Sequence, residues 1–300
     1  MIKGLVISPP VIGRISIGKV VEKHGKRLPE KDDQFTITSQ VQNRDGWVNH
    51  PLDDALRKSS GSEKLRAIPI RFLFNEPDLN LRAQYTLFDS HSSRPLCVGN
   101  GETCRRYTAT GMQTLPCPSP DGCEFAQDGQ CKPYGRLNVM IGDTEEMGTF
   151  ILRTTGFNSI RTLAARLSYY QAASGNLLAC LPLELRLRGK STALSHRAPI
   201  YYVDITIREG LTMEEAFAQA RQLNERRQST GYDQVALDAA ARAGLSNGAF
   251  EDAEEERLEI VEEFFTETDT HIEAGLTKSG KEEKVGLREK LNAKVANTDT

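Results

Sequence analysis

Leu181, Leu183, Leu185 and Leu187 alternate with Pro182, Glu184, Arg186 and Arg188. Side chains of a strand point to opposite faces in turn, so this run predicts a half-buried strand. Tyr201, Val203, Ile205 and Ile207 alternate in the same way, and residues 189–199 join the two runs as a hairpin. Earlier in the chain, residues 13–18 alternate briefly. Ile68, Ile70, Phe72 and Phe74 fall on one face, as do Leu81, Ala83, Tyr85 and Leu87. Leu137, Val139 and Ile141 continue the theme, and 149–155 has strand-like composition. Between these runs, 22–30 and 43–62 are rich in charge, Gly, Ser and Asp without a period, and they predict loops.

Helical spacing first dominates over 159–173. Ile160, Leu163, Ala164, Leu167 and Tyr170 share a face, Asn158 or Ser159 can cap the start, and Gly175 supplies the left-handed stop. Such a helix packs on a sheet. After Gly210 the pattern becomes mainly helical. Thr212 caps a helix running to Arg227, with Met213, Ala216, Phe217, Ala220 and Leu223 on one side. A second helix is predicted over 232–243. Residues 251–269 are strongly acidic, yet Leu258, Val261, Phe264 and Phe265 form an apolar stripe through the acid, as a partner-binding or bundle-packing helix would. The lysine-rich 278–300 predicts a frayed end. These elements predict an α+β fold: a core over 1–210 with a mixed or antiparallel sheet, one packed helix and a cysteine loop at 97–137, then a helical, partly acidic region over 211–300.

Composition narrows the picture. The chain has 300 residues, only 7% of them aromatic, and a formal net charge of -3, so no global basic field argues for nucleic acid. No apolar run approaches the roughly 20 residues that cross a bilayer, and the apolar start is too short for a signal peptide. The expected address is cytoplasmic. In a reducing compartment clustered cysteines turn to metal or redox roles in preference to structural disulfides.

Five of the six cysteines, Cys97, Cys104, Cys117, Cys123 and Cys131, lie in one region. A structural zinc needs four thiolate or imidazole ligands, and the ion then holds a loop that has no core of its own. The intervals differ from paired two-residue knuckles, with six residues between Cys97 and Cys104, five between Cys117 and Cys123, and seven between Cys123 and Cys131. Pro116, Pro118 and Pro120 stiffen the segment, Asp121-Gly122 offers a turn, and Lys132, Arg105 and Arg106 would offset negative charge. Unliganded thiols, disulfides and an iron–sulfur cluster are the competing readings. Zinc is favoured, with Cys117, Cys123 and Cys131 as ligands and Cys97, or alternatively Cys104, as the fourth. Cys180 reads as a buried small hydrophobe.

Other chemistry is sparse. A catalytic zinc keeps an open position and uses His or carboxylate ligands, and none sits in the cluster. His24, His50, His91, His196 and His271 are scattered singly and read as ordinary surface residues, with His91 nearest the cysteines. Gly99-Asn-Gly-Glu102 lacks the Lys-Ser/Thr of a phosphate loop and reads as a turn. Asp32, Asp33, Asp53 and Asp54 read as solvated, and Tyr169 and Tyr170 as rim and core of a helix. Arg105, Arg106, Lys132 and Arg136 could form a local basic patch for DNA. A metal-dependent hydrolase or nuclease is the alternative from another class.

The ordered motifs carry a resemblance. Gly13-Arg-Ile-Ser-Ile-Gly18, Pro29, Asp33-x-Phe35, Cys97-Val-Gly-Asn-Gly-Glu102, Cys117-Pro, Cys131-Lys-Pro-Tyr-Gly-Arg-Leu137 and Thr154-Thr-Gly-Phe-Asn-Ser159 resemble a group of phage and mobile-element proteins. That group is similar to the recombination directionality factors of large serine integrases, and its bacterial members are often labelled only as hydrolases or metal-binding proteins. The likeness covers roughly residues 10–208. It implies a non-enzymatic accessory that binds the integrase on its coiled-coil region and switches it towards excision. It also implies Cys97, Cys117, Cys123 and Cys131 as the metal set, with Cys104 spare.

Overall fold

A computed structural model describes residues 10–243, apart from 24–25, 44–45, 90–91, 93, 144–147 and 192–198. Contacts divide the chain into one compact unit, Met1–Asp252, and a second, Ala253–Thr300. The acidic stretch with Leu258, Val261, Phe264 and Phe265 and the lysine-rich end therefore lie outside the described residues, as do His24, His91, His196 and His271.

The first unit is α+β. Twelve strands pair into one mixed sheet: β1 (Val11–Lys23), β2 (Lys26–Asn43), β3 (Gly46–Asn49), β4 (Ala67–Arg71), β5 (Leu81–Phe88), β6 (Pro95–Gly99), β7 (Thr103–Thr108), β8 (Gly111–Pro116), β9 (Lys132–Ile141), β10 (Thr149–Thr154), β11 (Leu183–Lys190) and β12 (Ile200–Ile207). The main path runs β3-β2-β1-β10-β9-β5-β6-β7-β8, and β4 links β9 to the β11–β12 hairpin. β1 with β10 and β2 with β3 are parallel, and the remaining pairs are antiparallel. The central strand β9 explains the layers. Leu137, Val139 and Ile141 enter the main core. Their neighbours in alternate positions, Tyr134, Arg136, Asn138 and Met140, face the other way and are buried too.

Six helices accompany the sheet in the described residues: α1 (Pro51–Ser60), α2 (Pro77–Asn80), α3 (Ser119–Gly122), α4 (Phe157–Ala173), α5 (Met213–Ser229) and α6 (Gln234–Ala243). Helix α4 buries Ile160, Leu163, Leu167 and Tyr170, the predicted stripe, while Ala164 is exposed. Its start is Gly156, two residues before the predicted cap. Thr212 caps α5 in a reciprocal box: its side chain accepts from Glu215 N, and the Glu215 carboxylate accepts from Thr212 N. Ala220 and Leu223 of α5 join the main core. Ala241 and Leu237 of α6 close a separate cluster with Leu73, Phe74, Leu79 and Met140. The compact unit thus runs on past residue 210 and takes in both helices.

Two segments expected to be loops are regular. Of residues 22–30, 22–23 belong to β1 and 26–30 to β2, with the strands in register from Lys19 opposite Glu30 to Lys23 opposite Lys26. Backbone pairing holds this stretch, which is why hydrophobic alternation did not reveal it. Residues 43–62 contain β3 and α1. His50 caps α1, its Nδ1 accepting from Leu52 N at 3.2 Å, and Pro51 follows at the first helical position. Gly61, in the left-handed region at φ 61°, ends the helix. Burial holds the His50 imidazole below its ordinary pKa. Asp53 is likewise not solvated. It is buried, accepting from Ile37 N at 2.8 Å and from Arg57 Nε at 2.7 Å. The β4 strand also ends earlier than its alternation suggests, at Arg71, and Phe72 and Phe74 are buried beyond it in different clusters.

Candidate functional site

The cysteines come together at the β6–β7–β8 end of the sheet. Directly paired residues of antiparallel strands share a face, and here Cys97 pairs with Arg106 and Gly99 with Cys104. All four therefore look the same way. The connecting turn is tight: Asn100 Oδ1 accepts from Glu102 N at 2.9 Å and Thr103 N at 2.8 Å, and Gly101 takes φ 97°, a conformation that excludes most side chains. Gly99-Asn-Gly-Glu102 is this turn. The β7–β8 pairing extends one residue further, with Cys117 N donating to Glu102 O at 2.8 Å as β8 ends. Cys123 follows α3 and Cys131 immediately precedes β9.

Leu87, Cys97 and Cys104 form a small buried cluster against which Leu96, Leu115, Cys117 and Cys131 pack. Gly99 is the cradle for this packing. A Cβ there would stand 2.8 Å from Cys104 Cβ and 2.8 Å from Cys117 Sγ, so only glycine lets the thiol approach the strand. Burial, reinforced by the neighbouring Cys97, Cys117 and Cys123 sulfurs, pushes the Cys131 thiol up to about 12. Burial and a hydrogen bond with Cys97 push Cys104 up to about 11.

All six cysteines are free thiols. Among the described residues no group of three or more His, Cys, Asp or Glu is already arranged to hold a metal ion. The thiols are neighbours without forming a coordination shell. The donor chemistry nevertheless suits a soft d10 ion: several thiols lie close together, partly buried, with Cys117 Sγ packed against Gly99. Loading such a site must displace thiol protons. Cys180 stands apart, buried beside Arg227, whose Nη1 lies 3.6 Å from its sulfur.

The four basic residues considered for DNA divide between the two faces. Lys132 pairs with Thr86, Thr86 with Val98, and Val98 with Arg105, so Lys132 and Arg105 share a face. Arg136 lies on it too, directly between Arg82 of β5 and Arg153 of β10. Arg106 belongs to the opposite face, with the thiols. Its Nη2 donates to Cys123 Sγ at 3.5 Å, and its guanidinium sits 4.3 Å from the Phe125 ring centroid. The strand period could have separated Arg106 from Arg105. The contact with Phe125 had no signal in spacing.

These features define a class: an α+β protein whose cysteine-bearing loops are built onto one end of a large mixed sheet. A family model described as Gp3-like, recombination directionality factor-like, matches residues 12–208, and the chain belongs to that family. The match runs from the first residues of β1 to the end of β12 and includes all five clustered cysteines. No curated protein and no solved structure matches the chain significantly. No helix of the described residues is long and apolar enough to cross a membrane.

Proposed function

We propose that this protein is a zinc-binding accessory factor of DNA recombination in a phage or integrative mobile element. It acts by contact with a site-specific integrase and switches it towards excision. The observation that carries this reading is the family match over 12–208, which spans nearly the whole sheet. A factor of this kind works by differential affinity. It shifts an integrase–DNA equilibrium only as far as it prefers one arrangement over the other, and moving from 1:99 to 99:1 takes about 10⁴-fold preference. That demand favours a rigid binding surface.

Zinc supplies rigidity in this account and no chemistry. Cys97, Cys117, Cys123 and Cys131 hold the ion, and Cys104 packs beside them. The all-sulfur donor set, with no imidazole or carboxylate, supports a structural staple over a catalytic centre. The proteins needed for a first test are the full chain and the integrase encoded by the same element. Titration calorimetry is expected to give a saturable complex with a dissociation constant of about 1 μM or tighter, and heats indistinguishable from dilution would sink the reading. Turnover on nucleic acid that disappears in Cys117→Ser with the fold intact would replace it with the hydrolase reading.

A further inference from the structure

We propose that Arg106 is the charge-balancing donor of the thiol cluster: its guanidinium, resting on the Phe125 ring, donates to the Cys123 sulfur and makes the recess able to hold four thiolates on one divalent ion. The inference deepens the zinc reading above and rests on it.

Four thiolates around a divalent cation leave two negative charges in excess. In a partly buried recess that excess is costly unless a cation or hydrogen-bond donors lie close by. Among the basic residues of the neighbouring strands, Arg105, Lys132 and Arg136 occupy the other face of the sheet. Arg106 alone of that set is placed with the sulfurs. It stands opposite Cys97 across the β6–β7 pair and reaches Cys123 Sγ at 3.5 Å. Its Nε is buried with no hydrogen-bond partner among the described residues, so one of its N–H donors is unused. The ring of Phe125, 4.3 Å below the guanidinium, fixes the plane of the fork. Arg106 is thus a positioning residue: the sulfurs hold the metal and Arg106 sets the charge they can carry. Lysine would keep the charge but lose the planar fork and the stacking.

The test compares zinc affinity of the full chain, Arg106→Gln, Arg106→Lys and Phe125→Ala by competition with a chromogenic chelator, with circular dichroism as the check on folding. Removing a hydrogen-bond partner of a metal ligand costs about 10–100-fold in metal affinity, and Arg106→Gln is expected to fall in that range. Arg106→Lys should recover part of the loss. Wild-type affinity in a folded Arg106→Gln overturns the role of Arg106 and leaves the zinc reading standing. Absence of zinc binding by the wild-type chain overturns both. Should Arg106→Gln fail to fold, Phe125→Ala decides: a loss of several-fold supports the inference, and unchanged affinity overturns it.

Discussion

On the zinc-bound form proposed above, Cys131→Ser is expected to reduce zinc from one ion per chain to less than a tenth and to destabilise the core. Cys131 is the half-buried thiol on which Cys97, Cys117 and Cys123 all act, and it sits directly before the central strand β9. In that proposed form, losing the ion would free the segment between β8 and β9 from its anchor on the β6–β7 pair. Loss of a structural metal belongs to the mechanisms that cost more than about 4 kcal/mol. For a unit of this size that is a fall of about 8–16 °C in unfolding temperature. Two companion variants sharpen the result. Cys180→Ser, remote from the cluster, and Cys104→Ser, the thiol outside the ligand set, should both retain zinc. Loss of zinc in Cys104→Ser with retention in Cys97→Ser would exchange the roles assigned to these two. Elemental analysis and calorimetric scanning read both quantities.

Gly13→Ala should cost about 3 kcal/mol, at the upper end of what overpacking does, or about 6–12 °C. A Cβ on Gly13 would stand 2.6 Å from Phe150 Cε1 and 2.7 Å from the Thr38 carbonyl oxygen. Neither neighbour can yield cheaply. Phe150 is buried and meets the His50 ring edge-on at 5.0 Å between centroids, while Thr38 belongs to the strand paired with β1. Urea denaturation of the variant measures the loss, and a midpoint equal to wild type would mean that β1 is not clamped between β2 and β10 as described.

Legibility of the fold followed hydrophobic period. The Leu183–Leu187 and Val203–Ile205 alternation, the α4 stripe and the Thr212 cap were all readable because burial and capping leave their mark on residue type. Residues 22–23 and 26–30 were not, since backbone pairing of β1 with β2 needs no apolar alternation in the sequence. Helix α1 was missed for a related reason. Its apolar share is small, although Pro51, the acidic first turn of Asp53 and Asp54, and Gly61 did spell its ends. The buried Asp53 could not be told from a solvated one by composition alone, because its partners Ile37 and Arg57 lie on different elements.

The candidate site was legible as a set of residue types and not as an arrangement. Clustering of cysteines along the chain identified the region, and the family motifs singled out four of the five. What spacing could not supply was the sheet register that turns Cys97, Gly99, Cys104 and Arg106 to one side and Arg105, Lys132 and Arg136 to the other. A basic patch of adjacent residues thereby became two surfaces of different character. The role of Gly99 was equally hidden, since a glycine before a turn has the same appearance whether or not a thiol lies against it.

The most direct measurement is a recombination assay with purified integrase and both pairs of attachment sites, with and without this protein. The protein is expected to raise excision between the hybrid sites at least tenfold and to suppress integration. Identical product ratios in its presence and absence, with an integrase from the same element, would contradict it.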